Sequence, residues 1–132
     1  MPPIVSWGKY AIMNIFRVQP LTIRSYEHIY SFNKALVKGI DMKAIGEPQI
    51  VRFDQGDKWG YTLIQLIERS NIIAHFVEET SDIYLDVFSC KDFKEETVEE
   101  IVRKYFYPEH IDTTVLIRHA VNQKKEKLND LE

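Results

Sequence analysis

The sequence predicts an α+β fold, a mainly antiparallel sheet with two helices gathered on one face, and three observations lead there. Strand-like runs cluster between two helices in the order β-α-β-β-β-β-α-β. One run, Ile83 to Phe88, alternates Ile83, Leu85 and Val87 with Tyr84, Asp86 and Phe88, so both faces of its sheet carry large side chains. The 132 residues are 45% hydrophobic, and a chain of that size buries roughly two-thirds of the surface its unfolded form exposes, enough for one core without disulfides.

Lys9 to Val18 mixes aliphatic and aromatic residues without Gly or Pro, and Pro20 follows as a breaker, which reads as a strand. From about Ser25 the apolar residues Ile29, Phe32, Leu36 and Val37 form one helical face, and Gly39 supplies the stop. Pro48 to Phe53 is short and extended, and Asp54 to Lys58 is a polar turn. Strands are expected at Trp59–Ile67, Ile72–Val77 and Ile83–Phe88. A second helix is expected to begin near Asp92, with Asp92 as its cap and Glu95 completing a capping box. Its core stripe is Val98, Ile101, Val102 and Tyr105, with Glu95, Glu96, Glu99 and Glu100 turned outward and Pro108 at its end. Thr113 to Arg118 makes a final strand. Residues 1–120 then form one domain, and 121–132 a polar, mixed-charge tail.

With helices on one face, the other face of the sheet needs a cover, and dimerisation through it is the simple answer. The chain carries 17 Lys+Arg against 20 Asp+Glu, a net charge of −3, which argues against nucleic acid or anionic lipid as partner. One cysteine forms no internal disulfide and no CxxC pair, leaving Cys90 as core filler or reactive thiol. No metal site is expected, because His28, His110 and His119 show no mutual spacing. The start, Met1 to Val5, lacks a secretory pattern, and no run reaches 18 apolar residues, so a cytoplasmic protein is expected.

The chemistry-bearing residues cluster between Glu68 and Cys90. A nucleophile type, Ser70, a base type, His75, and the thiol Cys90 fall within one apparent hairpin. No GxSxG elbow and no HExxH accompany them, so neither an α/β-hydrolase nor a zincin is suggested. Each has a plainer reading alone: Ser70 as a turn former, His75 as a hydrogen-bonded core histidine, Cys90 as a small hydrophobe, Glu79 as a solvated turn carboxylate.

The same segment resembles the short prokaryotic type of the S-adenosylmethionine decarboxylase family. That family carries a Glu-Ser-His-Ile-Ser-Ile-His-Thr-Trp-Pro-Glu run and then Val-Asp-Val-Phe-Thr-Cys. Ser70 matches the serine, His75 the second histidine, Glu79 the glutamate, and Leu85 to Cys90 the final run. Gly8-Lys9-Tyr10, Pro108 and Leu116-Ile117-Arg118 are similar to the family's beginning and end.

The resemblance implies self-cleavage between Arg69 and Ser70, with Ser70 becoming a pyruvoyl cofactor that accepts electrons as PLP does. It implies that His75 takes the proton in the eliminating step, that Thr62 assists the rearrangement, and that Cys90 protonates the product carbon. Glu79 is matched to the carboxylate that holds the ribose hydroxyls, and Phe53 to the aromatic that stacks on adenine. The implied substrate is S-adenosylmethionine, decarboxylated to the aminopropyl donor for spermidine. The implied assembly is a homodimer packed sheet to sheet, an αββα sandwich. Departures fall at Arg69, where the family has Glu, at Asn71, where it has His, and at Phe76-Val77-Glu78, where it has Thr-Trp-Pro. They leave two rivals: a pyruvoyl decarboxylase of another amino acid such as arginine or ornithine, and a non-processing homologue acting as a binding or regulatory protein.

Overall fold

A computed structural model describes residues 6–120. Its strands are β1 (Gly8–Phe16), β2 (Gln49–Phe53), β3 (Gly60–Ile67), β4 (Ser70–Val77), β5 (Asp82–Ser89) and β6 (His110–Arg118), and its helices α1 (Tyr26–Gly39) and α2 (Glu95–Phe106). They form one six-stranded sheet in the order β2-β3-β4-β5-β1-β6. Every pairing is antiparallel. The element order and the α+β class are those expected from the sequence, and the 121–132 tail lies outside the described residues.

Strand alternation divides the sheet into two unlike faces. Ala11, Met13 and Ile15 of β1, Leu63 and Ile67 of β3, Ile72, Ala74 and Phe76 of β4, and Ile83, Leu85 and Val87 of β5 point to one side and are buried. Directly opposed residues in adjacent strands share a face, so these form a single apolar layer. Ile29, Phe32, Leu36 and Val37 of α1 and Val98, Val102 and Phe106 of α2 join the same core. Phe106 ties the layers together, with its ring centroid 4.7 Å from Phe32 and 5.6 Å from Phe76. Each such side chain contributes about 1.5–3 kcal/mol by leaving water, which is why the helices settle on this face.

Among the described residues no helix covers the opposite face. Val51, Phe53, Ile64, Leu66, Tyr84 and Leu116 stand exposed on it, several with half or more of their surface in solvent. No helix of the described residues is long and apolar enough to cross a membrane.

Three helix details correct the sequence reading. Ser25 caps α1 by accepting from the His28 N–H, but the cap position of α2 is Lys94, without a side-chain cap bond. Asp92 points to solvent, and Glu95 is drawn away from a capping box by Lys9 of β1, whose Nζ lies 2.5 Å from Glu95 Oε2. A full ion pair outcompetes the reciprocal cap. Glu99, expected to face outward, accepts from the Thr113 hydroxyl of β6 and joins α2 to the edge strand. Phe106, one residue past the expected stripe, is fully buried, while Ile101 and Tyr105 are only partly so.

Candidate active site

Ser70 opens β4 after a two-residue connection, Glu68-Arg69, that follows Ile67 at the end of β3. So tight a turn needs a residue with positive φ, and here it is Arg69, at φ 56°. Left-handed backbone costs a non-glycine residue about 1 kcal/mol or more, so the peptide unit before Ser70 carries local strain. The Arg69 carbonyl accepts from the backbone N–H of Cys90 at 3.4 Å.

The even-numbered positions of β4 face the helices, and Ser70 follows them: it is buried, and its hydroxyl donates to Ser89 Oγ at 2.6 Å. Ser89, directly opposite in β5, also accepts from the Lys91 N–H at 2.9 Å. Ser70, Arg69 and Cys90 line one cavity of about 350 Å³, with Lys43 and Lys91 on its wall. Lys91 Nζ is engaged by Asp41 at 3.1 Å.

His75 lies five residues along β4, an odd step, so its ring faces the open side and is exposed. Thr62 opposes it in β3, with Oγ1 3.1 Å from His75 Nδ1. His75 and Glu79 line a second cavity of about 530 Å³ together with Lys58 and Tyr84. Phe53 lies on the same face of the edge strand β2, beside Val51, which opposes Thr62. Within one chain the candidate residues therefore form two groups: Arg69, Ser70 and Cys90 at one end of β4, and Thr62, His75, Glu79 and Phe53 across the open face toward the other.

Three further residues escaped the sequence reading. Ser89 shares the buried parity of Leu85 and Val87, a signal that its hydroxyl needed an internal partner. Glu78 continues the inward parity of Phe76, and a carboxylate buried there requires cations. Both its oxygens are taken by the Arg52 guanidinium, one of them at 3.1 Å, and Arg24 lies 3.5 Å away. The hydrogen bond with Glu78 raises the Arg52 pKa further above its ordinary value. On the open face the Tyr10 hydroxyl donates to Asp86 at 2.9 Å. Burial, then the bond to Asp86 and its charge, push the phenol upward, against the Arg118 guanidinium.

A family model described as S-adenosylmethionine decarboxylase matches residues 9–119. Among solved structures, the crystal structure of the adenosylmethionine decarboxylase from Aquifex aeolicus VF5 superposes with a TM-score of 0.74 at 23% identity, covering 86% of this chain and 92% of that one. At that identity the likeness establishes the fold. A search of curated proteins finds no match. The family match spans both groups of candidate residues and nearly the whole described fold, and on that ground the chain belongs to the S-adenosylmethionine decarboxylase family.

Proposed function

We propose that the chain cleaves itself between Arg69 and Ser70, converts Ser70 into a pyruvoyl group, and decarboxylates S-adenosylmethionine. The observation that carries this reading is the turn itself. A left-handed Arg69 presents its carbonyl to the Cys90 N–H, while the next residue is a serine whose hydroxyl is held beside a cavity. The Ser70 oxygen attacks the Arg69 carbonyl carbon, the C–N bond breaks, and the hydroxyl proton ends on the Ser70 nitrogen, leaving an ester. The Cys90 N–H faces the oxygen on which negative charge develops, as an oxyanion-hole donor must. A base then removes the Ser70 Cα proton, the ester C–O bond breaks to leave a carboxylate at Arg69, and water replaces the nitrogen, which departs as ammonia.

The surroundings fit a pyruvoyl group at residue 70: the position begins a strand, adjoins a cavity on its open end, and has a thiol beside it. That group supplies a carbonyl conjugated to an amide, a sink for the electron pair left as carbon dioxide departs. Cys90 Sγ holds the proton that returns to the product carbon. The two oxygens of Glu79 suit a pair of ribose hydroxyls, and the exposed ring of Phe53 suits a purine face.

His75 and Thr62 reach Ser70 through a second copy of the chain. The open face is apolar enough to require a cover, and a two-fold axis crossing the strands lays the Ser70 end of one β4 over the His75 end of the other. Five residues of strand, roughly 17 Å, separate the two within one chain. In the tautomer whose Nδ1–H donates to Thr62, His75 Nε2 is free to take the Cα proton. The product is the aminopropyl donor used for spermidine.

Intact mass of freshly purified protein tests the reading. The expected result is two fragments, 1–69 and 70–132, the second blocked to Edman chemistry, with carbon dioxide released from S-adenosylmethionine and not from arginine or ornithine. A single full-length species after long incubation overturns it.

A further inference from the structure

We infer that Ser89 is the residue that positions the self-cleaving nucleophile, because its buried hydroxyl accepts the proton of the Ser70 hydroxyl at 2.6 Å directly across the β4–β5 register. This rests on the self-cleavage proposed above. Both side chains are nearly closed to solvent, Ser89 at 0% and Ser70 at 7% exposure. A serine hydroxyl has three staggered positions, and the bond to Ser89 selects one of them.

The selection has a chemical consequence. Attack on the Arg69 carbonyl uses a lone pair of Ser70 Oγ, and a hydrogen turned toward Ser89 leaves the lone pairs free of it. Ser89 is itself fixed, since its oxygen also accepts from the Lys91 N–H at 2.9 Å. Its backbone neighbour, Cys90, holds the Arg69 carbonyl oxygen through its N–H. Two consecutive residues at the end of β5 thus hold the two reacting partners, Ser89 the nucleophile and Cys90 the electrophile. Packing alone asks only for small side chains at 70 and 89, which alanine would meet.

Ser89 does not act as a base. A neutral hydroxyl is too weak an acceptor to keep the proton, which passes to the Ser70 nitrogen as the C–N bond breaks, and Ser89 ends the step unchanged. It is a positioning residue, and its effect falls on ester formation only.

The test follows cleavage of wild type, Ser89→Ala and Ser89→Thr by intact mass after rapid purification, with and without hydroxylamine, which cuts an ester but leaves an amide. Ser89→Ala is expected to slow cleavage roughly 10- to 100-fold, the loss typical of a misplaced reacting group. Ser89→Thr, which keeps the hydroxyl, restores it. Hydroxylamine releases no extra fragment from Ser89→Ala, because the block lies before the ester. Thermal unfolding of both variants keeps a folding defect apart from a kinetic one. Cleavage of folded Ser89→Ala at the wild-type rate overturns the assignment, as does a hydroxylamine-sensitive ester accumulating in it, or a folded Ser89→Thr as slow as alanine. A wild-type chain that stays whole overturns the self-cleavage reading, and the Ser89 assignment falls with it.

Discussion

The Thr62 hydroxyl stands 3.1 Å from Nδ1 of His75, in a directly opposed pair on the face of the sheet away from Ser70. That geometry gives the proposed dimer a sharp consequence. In the proposed reaction Ser70→Ala lacks the nucleophile and His75→Ala lacks the base, so neither should be cleaved through to two fragments alone. In a mixed dimer the His75→Ala chain keeps its own Ser70 and borrows His75 from its partner. Co-expression of the two, one tagged, should therefore restore cleavage of the His75→Ala chain, read by mass. If both chains stay whole in a verified heterodimer, His75 does not act across the interface.

His75→Ala alone should stop after ester formation. The ester needs Ser70, Arg69, Ser89 and the Cys90 N–H, all at one end of β4 and none of them on the face that carries His75. Hydroxylamine added to this variant should release fragment 1–69, whereas Ser70→Ala should give none. Thr62→Val should cleave about fivefold more slowly than wild type, the size expected when a hydrogen bond of about 1 kcal/mol orienting a base is lost. No hydroxylamine-dependent cut in His75→Ala would place the histidine earlier in the sequence of steps.

The proposed reaction gives Cys90 two separable parts, since its N–H belongs to the backbone and its thiol to the side chain. Cys90→Ala keeps the contact to the Arg69 carbonyl, so cleavage should proceed at close to the wild-type rate. Decarboxylation should fall about a hundredfold or more, the usual loss on removing a general acid. Turnover at the parental rate would remove the thiol from the chemistry and return Cys90 to the role of a small core residue.

Leu66 and Ile64 stand more than 40% exposed at the centre of the open face's apolar patch on β3. Leu66→Asp should convert a dimer into a monomer in size-exclusion chromatography with light scattering, without lowering the melting temperature of the monomer's own core. Loss of cleavage should accompany it if the second copy completes the site. A monomeric wild type, or a Leu66→Asp dimer, would show that the patch has another use.

Alternation and helical spacing made most of the fold legible, because burial follows parity along β5 and along α1 with few exceptions. Where competition between polar groups decided the outcome, local rules failed. Asp92 and Glu95 have the spacing of a capping box, yet Lys9, distant in sequence, takes Glu95 for itself. The site shows the same division. Ser70, His75 and Cys90 could be named from their spacing within a family pattern. That Ser70 and His75 face opposite sides of the sheet follows from an odd separation on a strand, and depended on Ser70 lying inside β4, which the expected start at Ile72 had left out. Glu78 and Ser89 were readable only once strand parity had been fixed through them.

Glu78 is almost wholly buried, while the side chains of Arg52 and Arg24 are 37% and 47% exposed. The two ends of this cluster should respond unequally. Glu78→Gln leaves guanidiniums that can recover water, at a cost of about 1 kcal/mol. Arg52→Ala leaves a buried carboxylate with a single, half-exposed partner and should cost about 3 kcal/mol. Urea unfolding measures both, and equal losses would mean that Glu78 is held by its packing more than by its cations.

Lys9 links β1 to α2, donating to the Phe93 carbonyl at 2.7 Å and pairing with Glu95. The Lys9 hydrogen bond, then one from the backbone, holds the Glu95 carboxyl below its ordinary value. Unfolded, Glu95 takes up a proton in the normal carboxylate range, whereas folded it stays ionised further down. The pair's contribution is therefore fully present above that range and disappears as pH falls through the lowered folded value. Lys9→Met should remove this portion of the acid dependence: the gap in urea stability between wild type and variant should be greatest near neutrality and close as the solution is acidified. A gap that stays constant across the carboxylate range would mean that Lys9 stabilises the protein through its contact with the Phe93 ring and carbonyl, and not through Glu95.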